Sequence, residues 1–166
     1  VRRSRGLGDV YKRQNLMQQN NFLNNAFLHH LSIQCADPKS LSSFYSETLG
    51  MKSKQIHHQE KTKWLCFGND RRIIFSPGKK KNLDFAAFSL KDENSLMNFK
   101  NILINNKVSI SEYETPFFMK GSFGVKDPDN NLIIFGISEI NKGIALSSTY
   151  SDHIYGPLQH LTFKSK

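Results

Sequence analysis

The chain is short of several things at once, and each shortage excludes a class of protein. It has two cysteines, Cys35 and Cys66, without C-x-x-C or any other metal-like spacing. That excludes a disulfide framework and a thiolate metal site, and leaves two small buried hydrophobes in a reducing compartment. No run reaches the roughly 18 apolar residues a membrane span needs, so the expected setting is soluble and cytoplasmic, with no membrane partner. There is no glycine-rich loop to cradle a phosphate, no Ser, His and Asp in a catalytic order, and no carboxylate pair suited to acid–base work, so no catalytic residue is expected. Acids are also scarce: 14 Asp and Glu stand against 23 Lys and Arg, a net charge of +9.

That excess changes meaning when it is divided. Arg2, Arg3, Arg5, Lys12 and Arg13 against Asp9 put +4 in the first 14 residues and leave +5 for the other 152. The opening VRRSRGLGDVYKRQ has neither the apolar core nor the cleavage site of a secretory signal. It reads as a non-native, adapter-derived segment over 1–14, with a basic arm as the alternative and Met17 as a candidate native start. Residues 15–26 are rich in Asn and Gln and read as a flexible lead-in. Lys79, Lys80 and Lys81 lack interleaved aromatics and read as a solvated bridge, so no nucleic-acid partner is expected.

What the chain does have is a repeat. Asp37, Ser40, Leu41 and Phe44 recur 55 positions later as Asp92, Ser95, Leu96 and Phe99, and the triplet Ile73, Ile74, Phe75 recurs at an offset of 60 as Ile133, Ile134, Phe135. From Phe27 to Cys35 the residues alternate, placing His30, Ser32 and Gln34 on one strand face and Leu31, Ile33 and Cys35 on the other. The polar face either meets bulk water or lines a concave site. Asp37 and Pro38 then start a helix carrying Leu41, Phe44, Tyr45 and Leu49 at helical spacing, and Gly50 stops it. Strands follow at 51–57, 62–68 and 71–76, with a turn at Gly68, Asn69 and Asp70. The second half repeats the plan: a strand from Leu83 to Leu90, a helix capped by Asp92 that buries Leu96, Phe99 and Leu103, and strands near 108–113, 117–126 and 131–137, the last two joined by a turn at Asp127–Asn130. Residues 139–156 read as a linker. Leu158, Gln159, His160 and Leu161 then restate Leu28, His29, His30 and Leu31, as if a third copy were starting.

Taken in order, Leu28 and His30, Asp37 with Phe44 and Tyr45, Leu49 and Gly50, and Asp127, Pro128, Asp129 and Asn131 resemble the vicinal oxygen chelate superfamily, which includes glyoxalase I, fosfomycin- and bleomycin-resistance proteins and class I extradiol dioxygenases. The resemblance covers about 28–138. It implies an α+β fold in which two βαβββ units, 27–76 and 83–138, form a cup-shaped, partly open barrel. It also implies a divalent metal held by the first and last strands of each unit. Carried over by position, those ligand sites fall on His30, Ile74, Phe85 and Ile134. Three of the four are apolar, and one imidazole cannot hold an ion that normally needs about three protein ligands. His30 is therefore a vestigial ligand position, and no cofactor is expected for 28–138.

The pattern is most like the non-catalytic front domain of a two-domain extradiol dioxygenase. The intact parent would use iron(II) to cleave catechol-type aromatics, residues 157–166 would be the first strand of a truncated second domain, and His160 would be its first iron ligand. The plainer readings are a hydrogen-bonded His30 in a metal-free cup and an accidental match at His160. Other readings of the whole are a metal-free, resistance-type binding protein, in which case a homo-oligomer is expected, or a fragment of a glyoxalase-like lyase or isomerase. His57 and His58 are adjacent and read as surface residues. Arg71 and Arg72 are candidates to steer an anionic substrate, with solvated strand ends as the plainer reading. Trp64, Phe67, Phe85, Phe117 and Phe118 either line an aromatic pocket or are plain core.

Overall fold

In the computed structural model, which describes residues 26–68, 71–79 and 82–139, the repeat becomes two βαβββ units sharing one sheet. The first comprises β1 (Phe27–Cys35), α1 (Pro38–Glu47), β2 (Lys52–His58), β3 (Lys61–Gly68) and β4 (Arg71–Pro77). The second comprises β5 (Asn82–Leu90), α2 (Glu93–Asn105), β6 (Ser111–Glu112), β7 (Phe123–Lys126) and β8 (Leu132–Ile137). The sheet runs β2-β3-β4-β1-β5-β8-β7-β6 and is not closed. The fold is therefore the expected α+β one.

The register shows how the halves are related. β1 pairs in parallel with β4, Leu31 opposite Ile73, and β5 pairs in parallel with β8, Ala86 opposite Ile133. The second pair follows the first by 55 and 60 positions, the two offsets of the sequence repeat. β1 and β5 run antiparallel with Leu31 opposite Ala86, residues that are themselves 55 apart, so a local two-fold axis passes through that pair.

Each helix starts on an aspartate. Asp37 accepts from the Ser40 amide at 3.0 Å and Asp92 from the Ser95 amide at 2.7 Å, which satisfies orphan donors of the first turn; the side chains of Ser40 and Ser95, then these amides, hold both carboxyls below their ordinary range. Pro38 fills the first turn of α1, and Gly50, at φ 71°, takes the left-handed conformation that leads the chain out. Leu41 and Tyr45 pack with Cys35, Met51, Cys66, Ile73 and Phe75. Phe44 does not join them and is 52% exposed. At 100° per residue it lies on the helix flank, while Ser42 takes the inner position, 2.5 Å from Ser53 Oγ and 3.3 Å from Cys66 Sγ. On α2 the pattern holds: Leu96, Phe99 and Leu103 pack with Leu90, Phe123 and Phe135.

Both helices cover one face of the sheet. The other face gathers Leu65, Ile74, Phe85, Ala87, Phe117, Phe118 and Ile134 into one cluster, with Ile56, Phe67, Tyr113 and Leu132 against it. These residues span the sheet from β2 to β8, so the sheet must curl around them as a cup. His58, at the end of β2, reaches the Glu114 carbonyl just past β6 at 3.3 Å and links the two outer strands.

Two expected strands are shorter than the pattern implies. Of 108–113 only Ser111–Glu112 forms a strand, extended by one bond from Tyr113 N to Ser122 O, and 117–126 reduces to Phe123–Lys126. Pro116 lacks an amide donor and Gly121 sits at φ 96°, so the intervening chain leaves the ladder. It is tied down instead by Met119 N donating to Ile137 O and Glu139 N to Phe117 O, both at 2.9 Å, and by an isolated bridge between Phe118 and Ser138. A strand would send Phe117 and Phe118 to opposite faces, whereas this loop turns both into the cup. The turn after β7 forms as read, with Asp127 accepting from the Asn131 amide at 2.8 Å and Asn130 at φ 68°. The expectations for 1–25, Asn69 and Asp70, Lys80 and Lys81, the linker from 140 onward and the third copy with His160 lie outside the described residues. Among the described residues no helix is long and apolar enough to cross a membrane.

Gly136 marks where the loop meets the sheet, since a Cβ there would come within 2.3 Å of the Phe118 ring. Gly136→Ala is expected to destabilise the fold by about 1–3 kcal/mol in a urea melt. Full tolerance of the alanine would mean that Phe118 is not seated there.

Candidate functional site

The polar face of β1 becomes a site through a break in its regularity. Leu28 opposes Phe88 and His30 opposes Ala87, so His29 is an extra, bulged residue. Strict alternation would turn His29 away from His30, but the bulge brings both rings to the same place. Their Nδ1 atoms lie 2.9 Å apart, and His29 Nε2 is 3.0 Å from Ser138 Oγ. His30 is fully buried and meets Phe85, Phe117 and Phe118 edge-on at centroid distances of 5.6, 5.1 and 5.0 Å.

The chain of protons can run either way: Ser138 donates to His29 Nε2 and His29 Nδ1 to His30 Nδ1, or His30 Nδ1 donates to His29 Nδ1 and His29 Nε2 to Ser138 Oγ. In the first direction His30 carries its proton on Nε2, which has no hydrogen-bonding partner among the described residues and can point at an aromatic face, a weak but real contact. Both rings are held neutral. Burial, then the Arg72 charge, lowers the His29 pKa to about 4, and burial, His29 and Arg72 push His30 well below 6.5.

The other positions at which the resemblance placed metal ligands do converge beside His30. Ile74, Phe85 and Ile134 all belong to the cup cluster, and Phe85 is the two-fold mate of His30. Their side chains offer carbon where a metal needs lone pairs, which leaves His30 as a single imidazole donor where about three protein ligands are needed. The residues present do not fit a divalent metal. Among the described residues no group of three His, Cys, Asp or Glu could hold one.

A second polar group lies further along the concave face. Asp84 accepts from Ser32 Oγ and from Gln34 Nε2, each at 3.1 Å. Lys63, only 7% exposed, has its pKa lowered by burial, partly offset by Asp84, and Tyr113 is raised by burial and by Asp84. The expected polar face of His30, Ser32 and Gln34 thus lines the cup.

The remaining candidates separate. His57 is exposed and lies 3.3 Å from Thr62 Oγ1, while His58 bridges to Glu114. Arg71 is buried, on the side of Ile73 and Phe75 that faces α1, whereas Arg72 shares the side of Ile74 and acts on both histidines. Phe67, Phe85, Phe117 and Phe118 face the cup, while Trp64 packs on the helical side.

The chain shares its fold, the α+β one the resemblance implies, with solved extradiol dioxygenases. Its similarity to them lies in shape rather than in sequence. A catechol 2,3-dioxygenase superposes with a TM-score of 0.56 at 14% identity, over 67% of this chain and 38% of that one. The 2,3-dioxygenase LapB from Pseudomonas sp. KL28 gives 0.58 at 16% identity, over 67% and 40%, and a variant of homoprotocatechuate 2,3-dioxygenase from B. fuscum gives 0.55 at 12%, over 67% and 32%. This chain therefore matches two-fifths or less of the length of these enzymes. No protein-family profile matches it, and no curated protein matches it in sequence.

The neutral histidines give the fold a pH dependence. Unfolded, they take up protons below about 6.5, and folded His29 does so only near 4. Between those values the unfolded chain binds more protons, so stability falls as pH drops through that window, by about 3 kcal/mol for His29 alone. Urea melts from pH 7 to 4 should show that fall, and a smaller one in His29→Phe. An equal slope in both would rule out His29 as its source.

Proposed function

We propose that residues 27–138 are the non-catalytic, metal-free front domain of an extradiol-type ring-cleaving dioxygenase, and that the parent acts on a small catechol-type aromatic. The observation that carries the reading is the replacement of ligand positions by Ile74, Phe85 and Ile134, which pack together in the cup. A further support is length: the matched dioxygenases share the fold over only 32–40% of their chains. On this reading 139–156 is a linker, 157–166 begins a second domain, and iron(II) belongs to that domain with His160 as one ligand. The chain as it stands then contributes a fold and an interface rather than the reaction.

A second reading, a small-molecule binding protein without metal, is favoured by the His30 Nε2 left without a hydrogen bond among aromatic rings, a cost usually of about 1–3 kcal/mol that a ligand could remove.

The two readings are tested on the purified chain loaded with iron(II), dialysed and assayed with catechol. The expected result is less than stoichiometric iron by mass spectrometry and no ring-fission absorbance. Stoichiometric iron, or turnover that Phe85→Ala leaves intact and His30→Ala abolishes, would overturn the metal-free assignment. Restored cleavage on adding a protein that carries the following domain would support the front-domain reading over the binding-protein one.

A further inference from the structure

The bulge at His29 has a counterpart in the second unit. Ser32 opposes Phe85 and Ile33 opposes Leu83, so Asp84 is an extra residue in β5, 55 positions after His29 like the rest of the repeat. The bulge turns Asp84 to the concave face, where Ser32 and Gln34 donate to it. Register and alternation carry a polar row onward across the sheet. Gln34 opposes Ser76 in β4, on the side of Ile74, and one step beyond the pair of Trp64 and Phe75, Lys63 comes opposite Ser76. Lys63 is in turn the partner of Ile56 in β2.

Two groups in that row are unspent. Ser76, 5% exposed, has an Oγ without a hydrogen-bonding partner among the described residues. Lys63, 7% exposed, makes no hydrogen bond or ion pair among them. Unused donors in a buried setting are costly, so two side by side mark a place for an acceptor from outside. Ile56, Leu65 and Ile74 flank the pair with carbon. Lys61 and Thr62, just before Lys63, are exposed, so the amine lies near an open end of β3.

The charged and titratable groups around Lys63 are Asp84 from β5, Lys61 on its own strand, Lys54 and His58 on either side of Ile56, and Tyr113, which feels the same Asp84. Arg72 lies toward the other end of β4, where it acts on the histidines. Burial lowers the Lys63 pKa, Asp84 offsets part of this and Lys61 adds to it, so more of the amine is unprotonated at neutral pH than in an exposed lysine.

We propose that Lys63 is a nucleophilic amine that condenses with small aliphatic aldehydes, with Ser76 donating to the carbonyl oxygen and Ile56, Leu65 and Ile74 receiving the alkyl chain. The unprotonated amine adds to the carbonyl carbon. The carbonyl oxygen then leaves as water, both its hydrogens coming from the nitrogen by way of solvent and Asp84, and an imine remains. No metal, oxidant or reductant takes part, and the site stands whether or not the chain belongs to a dioxygenase.

The full chain is treated at neutral pH with propanal and sodium cyanoborohydride, which reduces imines as they form, and the alkylated lysines are followed over time by peptide mass spectrometry. Lys63 should be alkylated about tenfold or more faster than the exposed Lys91, and its rate should level off at a lower pH. Ser76→Ala should slow Lys63 by about threefold or more, the effect of one lost hydrogen bond, without lowering the melting temperature, because no native partner is lost. Lys63→Arg should abolish the fast phase and leave Lys91 unchanged, and urea should erase the preference. Alkylation of Lys63 no faster than of Lys91, levelling off at the same pH, indifference to Ser76→Ala, or a preference that survives in urea would each overturn the inference. None of these outcomes bears on iron retention, so this amine and the metal-free domain can fail separately.

Discussion

The pairing of β1 with β5 is the contact on which the remainder of the molecule depends. It joins the two units by the antiparallel ladder centred on Leu31 and Ala86, and each of these strands also holds the closing strand of its own unit in parallel. Because the axis runs through that pair, the residue one place before it in the first strand is brought against its own counterpart, here His30 against Phe85. The symmetry fixes the meeting place, and the residue types decide what happens there.

What happens there is packing. Isoleucine at 74 and 134 and phenylalanine at 85 fill the space with ordinary hydrophobic contacts worth about 1.5–3 kcal/mol per buried side chain. His30 is accommodated in this apolar setting because His29, itself tied to Ser138, hydrogen-bonds its Nδ1 while aromatic rings pack around it. Neutrality is a condition of that arrangement, since a charged imidazole would have no counter-ion there.

Much of this was legible in the sequence, and the failures have physical causes. The two offsets, 55 and 60, translated directly into strand register, because a repeat in sequence fixes a repeat in pairing. The capping aspartates were readable because Asp37 precedes a proline and both Asp37 and Asp92 stand three places before a serine at the head of a helical apolar pattern. The bulge at His29 was not readable, since alternation assigns one residue per step and a bulge breaks that count. Nor was the loop carrying Phe117 and Phe118, whose apolar residues suggested a continuous strand even though Pro116 and Gly121 were the available warning. The hairpin between β2 and β3 turns through Gln59 and Glu60 at φ 51° and 58° without a glycine to signal it.

An open sheet has two borders, and each is a place where a strand from another molecule could add. β6, with two residues, is too brief to act as a template. β2 is seven residues long, and its lysines at 52 and 54 bring charge to a border that would otherwise invite continuation. Those amines therefore limit the growth of the sheet, and neutralising them would be felt as a tendency to self-associate.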